Sequence, residues 1–181
     1  MMRRKASLAG AAAFASLVFS APATAYPEGA LLGHTGGFGE DSCASCHFAG
    51  PQGDDIALRI DGPDVYDPGA RYRFFVRAMD PDAAVAGFQL SARFEDGSNA
   101  GTLSAKADGT QTGTLDDVTY ASHSAPQHLE GGEAVWELEW VAPEDSSGAV
   151  IIHAATVSGA DDQSPVGDNV QTQELRISPP E

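Results

Sequence analysis

Basic side chains are scarce in this chain. Of 181 residues only 10 are Lys or Arg, against 26 Asp or Glu, and the formal net charge is −16. Nucleic acid and anionic membrane surfaces repel such a surface, which argues against both as partners. A basic partner protein suits the charge, and so does a surface that is acidic only for solubility.

Long apolar runs are confined to the first 25 residues. Residues 3–5 are basic, residues 6–19 are mostly apolar and residues 23–25 read Ala-Thr-Ala, which is typical of a signal peptide and its cleavage site. We expect residues 1–25 to be removed and the mature chain to be periplasmic or secreted. The best later candidate for a span, residues 149–157, is too short to cross a bilayer, so no membrane insertion is expected after cleavage.

The motifs of several enzyme classes are also missing. No serine lies in a nucleophile elbow, and the sequence contains neither a phosphate-binding loop nor a metalloprotease His-Glu pair. We therefore expect the protein not to be an enzyme.

Cysteine occurs only twice, and both residues belong to one motif. Cys43 and Cys46 are separated by two residues and followed directly by His47, which is the attachment pattern of a c-type haem. In this pattern each thiol reaches one porphyrin vinyl group and the histidine becomes the proximal iron ligand. We predict one covalent haem c at these three residues.

Three other interpretations of the two cysteines are weaker. A disulfide would close only a very short loop. A thioredoxin-like site should lie near a βαβ pattern, and Gly50, Pro51 and Gly53 end any helix here. A zinc site needs about four ligands, and no second Cys/His cluster follows at finger spacing.

The remaining sequence divides into an irregular segment and a β-rich region. Residues 26–53 contain many glycines and few large apolar residues, and at most one helical turn fits around residues 41–48. From residue 54 to 181, apolar and polar residues alternate in short runs separated by Pro/Gly/Asp turns, which predicts about eight strands with one buried face each. The clearest strands lie around residues 56–60, 72–78, 88–94 and 136–140, and weaker ones around 102–105, 118–122, 149–157 and 170–177. We predict an all-β, Ig-like antiparallel sandwich with an irregular N-terminal haem-binding extension.

The order of several short motifs resembles one known family. The motifs occupy residues 34–39 and 43–47, 67–69, 87–92, 120–123, 136–143 and 164–168. Together they resemble the bacterial Reeler-like proteins grouped as choice-of-anchor V domain proteins, relatives of the β-sandwich at the N-terminus of reelin. The resemblance implies a Reeler-like sandwich behind a small cysteine motif, and it implies little about biochemical role.

The second axial ligand of the iron determines what such a haem can do. A second protein ligand gives an electron carrier, whereas an open position lets small ligands bind. We favour His123, which ends a predicted strand and matches a position where the resembling proteins also carry histidine. His34 and Met79 are the alternatives.

These observations predict an exported monohaem c-type cytochrome that exchanges electrons with a redox partner protein, possibly a basic one. The alternatives are an extracytoplasmic binding or adhesion module with haem minor or absent, and a haem-based ligand sensor. Four arginines on one predicted face could pair with haem propionates or, more simply, with neighbouring acids: Arg59, Arg71, Arg73 and Arg77. Asp-rich loops at residues 80–82, 116–117 and 161–162 suit calcium or plain solvated turns.

Overall fold

The computed structural model describes residues 28–51, 53–145 and 148–181. The predicted signal peptide, residues 1–25, lies outside the described residues. Within the described part, no helix is long and apolar enough to span a membrane.

Eleven strands and one 3₁₀ turn make up the described structure. The turn, Cys43–Ser45, falls inside the window where the sequence allows a single helical turn. The strands are β1 Phe48–Ala49, β2 Ala57–Asp61, β3 Arg71–Met79, β4 Val85–Phe94, β5 Thr102–Ser104, β6 Thr110–Leu115, β7 Val118–His123, β8 Gln127–His128, β9 Glu133–Val141, β10 Val150–Gly159 and β11 Val166–Ile177. All eight predicted strands are present, and β1, β6 and β8 are additional.

The strands form two sheets, which confirms the predicted all-β sandwich. One sheet has seven strands in the order β1-β11-β10-β4-β7-β6, with β8 also paired to β4, and the other has four in the order β2-β3-β9-β5. Every pairing is antiparallel except that of β1 with β11, which is parallel and only two residues long. This exception joins the N-terminal segment to the edge of the larger sheet.

Aromatic residues from both sheets fill the space between them. Trp140 of β9 is fully buried, and the rings of Tyr66, Tyr72 and Phe74 each lie with centroids 5.8 Å from it. The ring centroids of Trp136 and of Phe88 in the opposite sheet are 4.7 Å apart, so the inward-facing residues of β4 and β9 pack in one core.

The outer face of the larger sheet is covered by residues 28–51. All residues of β4 from 86 to 93 are buried, including Gln89 and Arg93, which alternation alone assigns to solvent. Gln89 shows how the cover is held, because its side chain donates to the Leu31 carbonyl (2.9 Å) and accepts from the His34 amide (2.8 Å). The expectation of one buried face is therefore wrong for β4.

Candidate functional site

A cavity of about 360 Å³ opens where the N-terminal segment meets the ends of β4, β7, β10 and β11. It is lined by the five residues that the sequence suggests for binding haem or its iron at this motif: His34, Cys43, Cys46, His47 and His123. Its wall is largely apolar and includes Val85, Ala86, Phe88 and Val157, while Asp161, Asp162 and Asp168 add carboxylates. The volume lies within the range of pockets that hold small molecules or cofactors.

The 3₁₀ turn presents the two cysteines to this cavity. The Ser42 hydroxyl caps the turn by accepting from the Ala44 amide (3.3 Å), and the His47 amide donates to the Cys43 carbonyl (2.9 Å). Both thiols are free. Burial raises the pKa of the Cys43 thiol to about 11. A dithiol redox motif depends on a lowered thiol pKa, so this environment disfavours the thioredoxin-like interpretation.

The imidazole of His47 is held by a carboxylate from the far end of the chain. Its Nδ1 lies 2.6 Å from Oδ2 of Asp168, and both side chains are largely buried. The contact depends on the short β1–β11 pairing, in which Ala49 is the partner of Asp168. With Nδ1 engaged, Nε2 is the ring nitrogen that can bind a metal.

His123 reaches the cavity from the end of β7. The ring is buried and lies against Gly87, where an added Cβ would come within 2.6 Å of Cε1. Its Nδ1 lies 3.0 Å from the backbone nitrogen and 3.1 Å from the backbone oxygen of Phe88. The Phe88 amide donates to Nδ1 in the tautomer that protonates Nε2, whereas Nδ1 donates to the Phe88 carbonyl in the tautomer that leaves the Nε2 lone pair for an iron.

His34 lines the same cavity from the N-terminal segment. Its Nδ1 lies 3.2 Å from the Leu32 carbonyl, and its own carbonyl is 3.9 Å from the Sγ of Cys43. Two of the three candidate second ligands, His34 and His123, are thus beside the cysteine motif.

Met79 is placed differently. It ends β3 in the four-stranded sheet, between Ala57 and Glu133, and is not among the residues that line the cavity.

The four arginines suggested for propionates lie on the four-stranded sheet as well. Arg71 pairs with Glu139 (2.8 Å), Arg73 with Glu137 (3.3 Å), and Arg77 with Asp61 (2.7 Å) and Glu133 (3.2 Å). Neither these three nor Arg59 line the cavity. The simpler interpretation, surface ion pairs, fits them.

A buried charged cluster fixes the N-terminal segment beside the site. Glu40 accepts hydrogen bonds from Arg93 of β4 and from Tyr120 of β7, and its other oxygen accepts from Thr35 (2.8 Å). Burial favours the neutral acid, but these hydrogen bonds outweigh it and the pKa of Glu40 lies below its usual value. Burial, together with the hydrogen bond to Glu40, raises the pKa of Tyr120 to about 12. Sequence patterns give no sign of this cluster, since Glu40 and Arg93 lie 53 residues apart.

The described residues show no cluster that could bind a metal ion through side chains alone. Among the described residues, no group of three or more His, Cys, Asp or Glu could hold one. In the first Asp-rich loop, Asp80 is buried and accepts from Ser158 (2.6 Å) and Asn169 (2.8 Å). A haem needs only axial ligands from the protein, so its requirement is smaller, and two thiols with a carboxylate-held imidazole fit it.

Comparisons with known proteins identify the fold. No protein-family model matches the chain, and no curated protein matches it in sequence. Among solved structures, the Reelin-N domain of F-spondin is similar with a TM-score of 0.54 and 23% identity, over 77% of this chain and 96% of that one. This likeness shows a Reeler-like sandwich, as the sequence resemblance implies, and at this identity it shows the fold alone.

Two further solved structures are similar at lower scores. A collagen-binding domain from a Staphylococcus aureus adhesin has a TM-score of 0.38 and 8% identity, over 70% of this chain and 99% of that one. A structure of manganese lipoxygenase of Gaeumannomyces graminis with part of zonadhesin of Komagataella pastoris has a TM-score of 0.39 and 10% identity, over 71% and 48%.

Proposed function

We propose that this chain is an exported Reeler-like module that carries one c-type haem and transfers electrons. Cys43 and Cys46 attach the haem, His47 is the proximal ligand and His123 the second ligand. One observation supports this most: the complete attachment motif and a histidine from a distant strand line the same cavity. The fold itself supports only an extracellular binding module, so the haem proposal depends on this site.

The residues of the cavity have distinct tasks. Cys43 and Cys46 would hold the haem through thioether bonds, each formed by addition of one thiol to one vinyl group, which requires no oxidant. Haem, when bound, supplies a one-electron Fe(III)/Fe(II) couple. His47 and His123 would ligate the iron, and the apolar side chains of Phe88 and Val157 would line its pocket. Two protein ligands would suit electron transfer, because they would leave no position on the iron open to a substrate.

The surface near the cavity suits a basic redox partner. Phe48 and Val166 are partners in the β1–β11 pairing, and both are more than half exposed. Asp161 and Asp162 lie at the neighbouring cavity rim. An apolar contact area beside carboxylates favours docking by a partner whose own contact area is ringed with Lys or Arg.

Covalent attachment tests the proposal directly. The full chain, made with c-type maturation machinery in a bacterial periplasm, should retain haem through denaturing electrophoresis. The double variant Cys43→Ser, Cys46→Ser should lose that signal. Ala44→Ser, a change at an exposed spacer within the same motif, should keep it. Wild-type protein without covalent haem would overturn the proposal.

The fold likeness favours a second candidate, a binding or adhesion module in which haem is minor or absent. Sandwich domains recognise partners through loops that vary while the core is kept. Colour distinguishes the two candidates, because a correctly exported but colourless protein that binds a surface carbohydrate or protein supports the module alone. A coloured, five-coordinate protein that binds carbon monoxide would instead indicate a ligand sensor.

A further inference from the structure

We infer that Asp168 is the positioning residue of the haem site, orienting His47 and lowering the reduction potential of the iron. The inference rests on the proposed function and deepens it. Sequence patterns assign Asp168 no role, although it closes the last motif of the family resemblance, at residues 164–168.

The contact has the geometry of a strong, charge-assisted hydrogen bond. Nδ1 of His47 and Oδ2 of Asp168 are 2.6 Å apart, and the side chains are 21% and 11% exposed. Since water competes little at such a site, Asp168 holds the proton on Nδ1 and leaves the lone pair on Nε2 for the iron.

The backbone around Asp168 is shaped to keep the carboxylate in place. A Cβ on Gly159 would lie 2.0 Å from Oδ1 of Asp168, and a Cβ on Gly50 would lie 2.5 Å from its carbonyl oxygen. The Gly50 amide also donates to that carbonyl (3.0 Å). Two glycines therefore let β10 and the residues after His47 close on Asp168 from both sides.

A carboxylate partner changes the iron through its ligand. Drawing on the Nδ1 proton makes the imidazole more electron-rich, and an electron-rich ligand stabilises Fe(III) more than Fe(II). The reduction potential should accordingly be lower than with a neutral hydrogen-bond acceptor at the same place.

Asp168→Asn tests this, because the amide keeps the shape and removes the charge. Spectroelectrochemistry of the haem-loaded protein should show a more positive potential with covalent haem retained, and resonance Raman should show a weaker iron–histidine bond in the reduced protein made five-coordinate by His123→Ala. Asp161→Asn is the matched control. It removes one charge from the same cavity, and Asn tolerates the positive φ of 60° at that position.

The control variant distinguishes the effect of the hydrogen bond to His47 from the effect of removing a nearby negative charge. A clearly larger shift for Asp168→Asn than for Asp161→Asn supports the inference. Equal shifts, or an unchanged Raman band, would overturn it while leaving the haem proposal intact. A wild-type protein without covalent haem would overturn both.

Discussion

The two sheets of the sandwich present their outer faces in opposite ways. On the four-stranded sheet, Arg71 and Arg73 are largely exposed and pair with glutamates in water. On the seven-stranded sheet, Arg93 is 6% exposed and pairs with Glu40 beneath the N-terminal segment. The outer face of the four-stranded sheet contacts solvent. The outer face of the seven-stranded sheet is covered by residues 28–51, which place the cysteine motif against it.

The difference shows that exposed ion pairs and buried ion pairs contribute differently to the fold. An exposed ion pair contributes little, since water screens it and the side chains lose entropy in forming it. A buried ion pair contributes to the specificity of the fold, and burying it has a high desolvation cost. Removing one partner leaves the other charge buried without a counter-charge. Arg93 and Glu40 therefore determine where residues 28–51 lie, whereas Arg71 and Arg73 determine little.

The largest expected effect concerns which sheet supplies the second ligand of the proposed haem. If it comes from the covered sheet, His123→Ala should turn the haem high-spin and let carbon monoxide bind, with haem still attached at Cys43 and Cys46. Met79→Leu, on the other sheet, should leave the absorption spectrum unchanged. A high-spin His34→Ala together with a low-spin His123→Ala would assign the ligand to His34 instead.

The second prediction compares two arginines. Arg93→Met strands the Glu40 carboxylate and should lower the free energy of unfolding by about 3–5 kcal/mol. Arg73→Met on the exposed face should change it by less than about 0.5 kcal/mol. Urea unfolding followed by tryptophan fluorescence measures both. Similar losses for the two variants would mean that the covering layer is not held by this pair.

The third prediction concerns the close approach of the covering layer. A Cβ on Gly37 would lie 2.2 Å from Cγ of His153, so Gly37→Ala should force the layer outward and cost about 1–3 kcal/mol. Gly148→Ala, where no atom lies within 4 Å of the new Cβ, is the control and should be nearly neutral. Thermal unfolding should show a lower midpoint for Gly37→Ala only.

The smallest predicted effect is on acid stability. The pKa of Glu40 is lower in the fold than in the unfolded chain, so its contribution is full above the usual value of 4.5 and is lost as the pH falls through the lowered value. Glu40→Gln should therefore flatten the acid limb of the stability–pH curve below about pH 4.5. An acid limb unchanged from wild type would show that folding does not lower the pKa of Glu40.

Alternation predicts most of the strands because they bury one face, as β9 does. It finds β4 because apolar and polar residues alternate along that strand, although both of its faces are buried. It missed β6, whose sequence Thr-Gln-Thr-Gly-Thr-Leu pairs at a sheet edge without burying an apolar phase. Alternation also predicts the wrong environment for the polar residues of β4. An alternating pattern cannot show whether polar side chains face water or a polar covering segment. Gln89 and Arg93 are of the second kind.

The proposed attachment motif can be found in the sequence because haem attachment needs fixed local spacing. Asp168 cannot be found in this way, since its link to His47 depends on a two-residue parallel pairing between segments 121 residues apart. The motif at residues 164–168 was the only available sign, and it carried no role until the fold placed it.

The β1–β11 pairing also orders events during synthesis. The cysteine motif leaves the ribosome well before the strand it docks on, since His47 precedes Asp168 by 121 residues. Until Asp168 has emerged, residues 28–51 lack their edge of the sheet, and non-local pairings of this kind form slowly. The turn that carries Cys43 and Cys46 can therefore take its place beside the cavity only after β11 has been made.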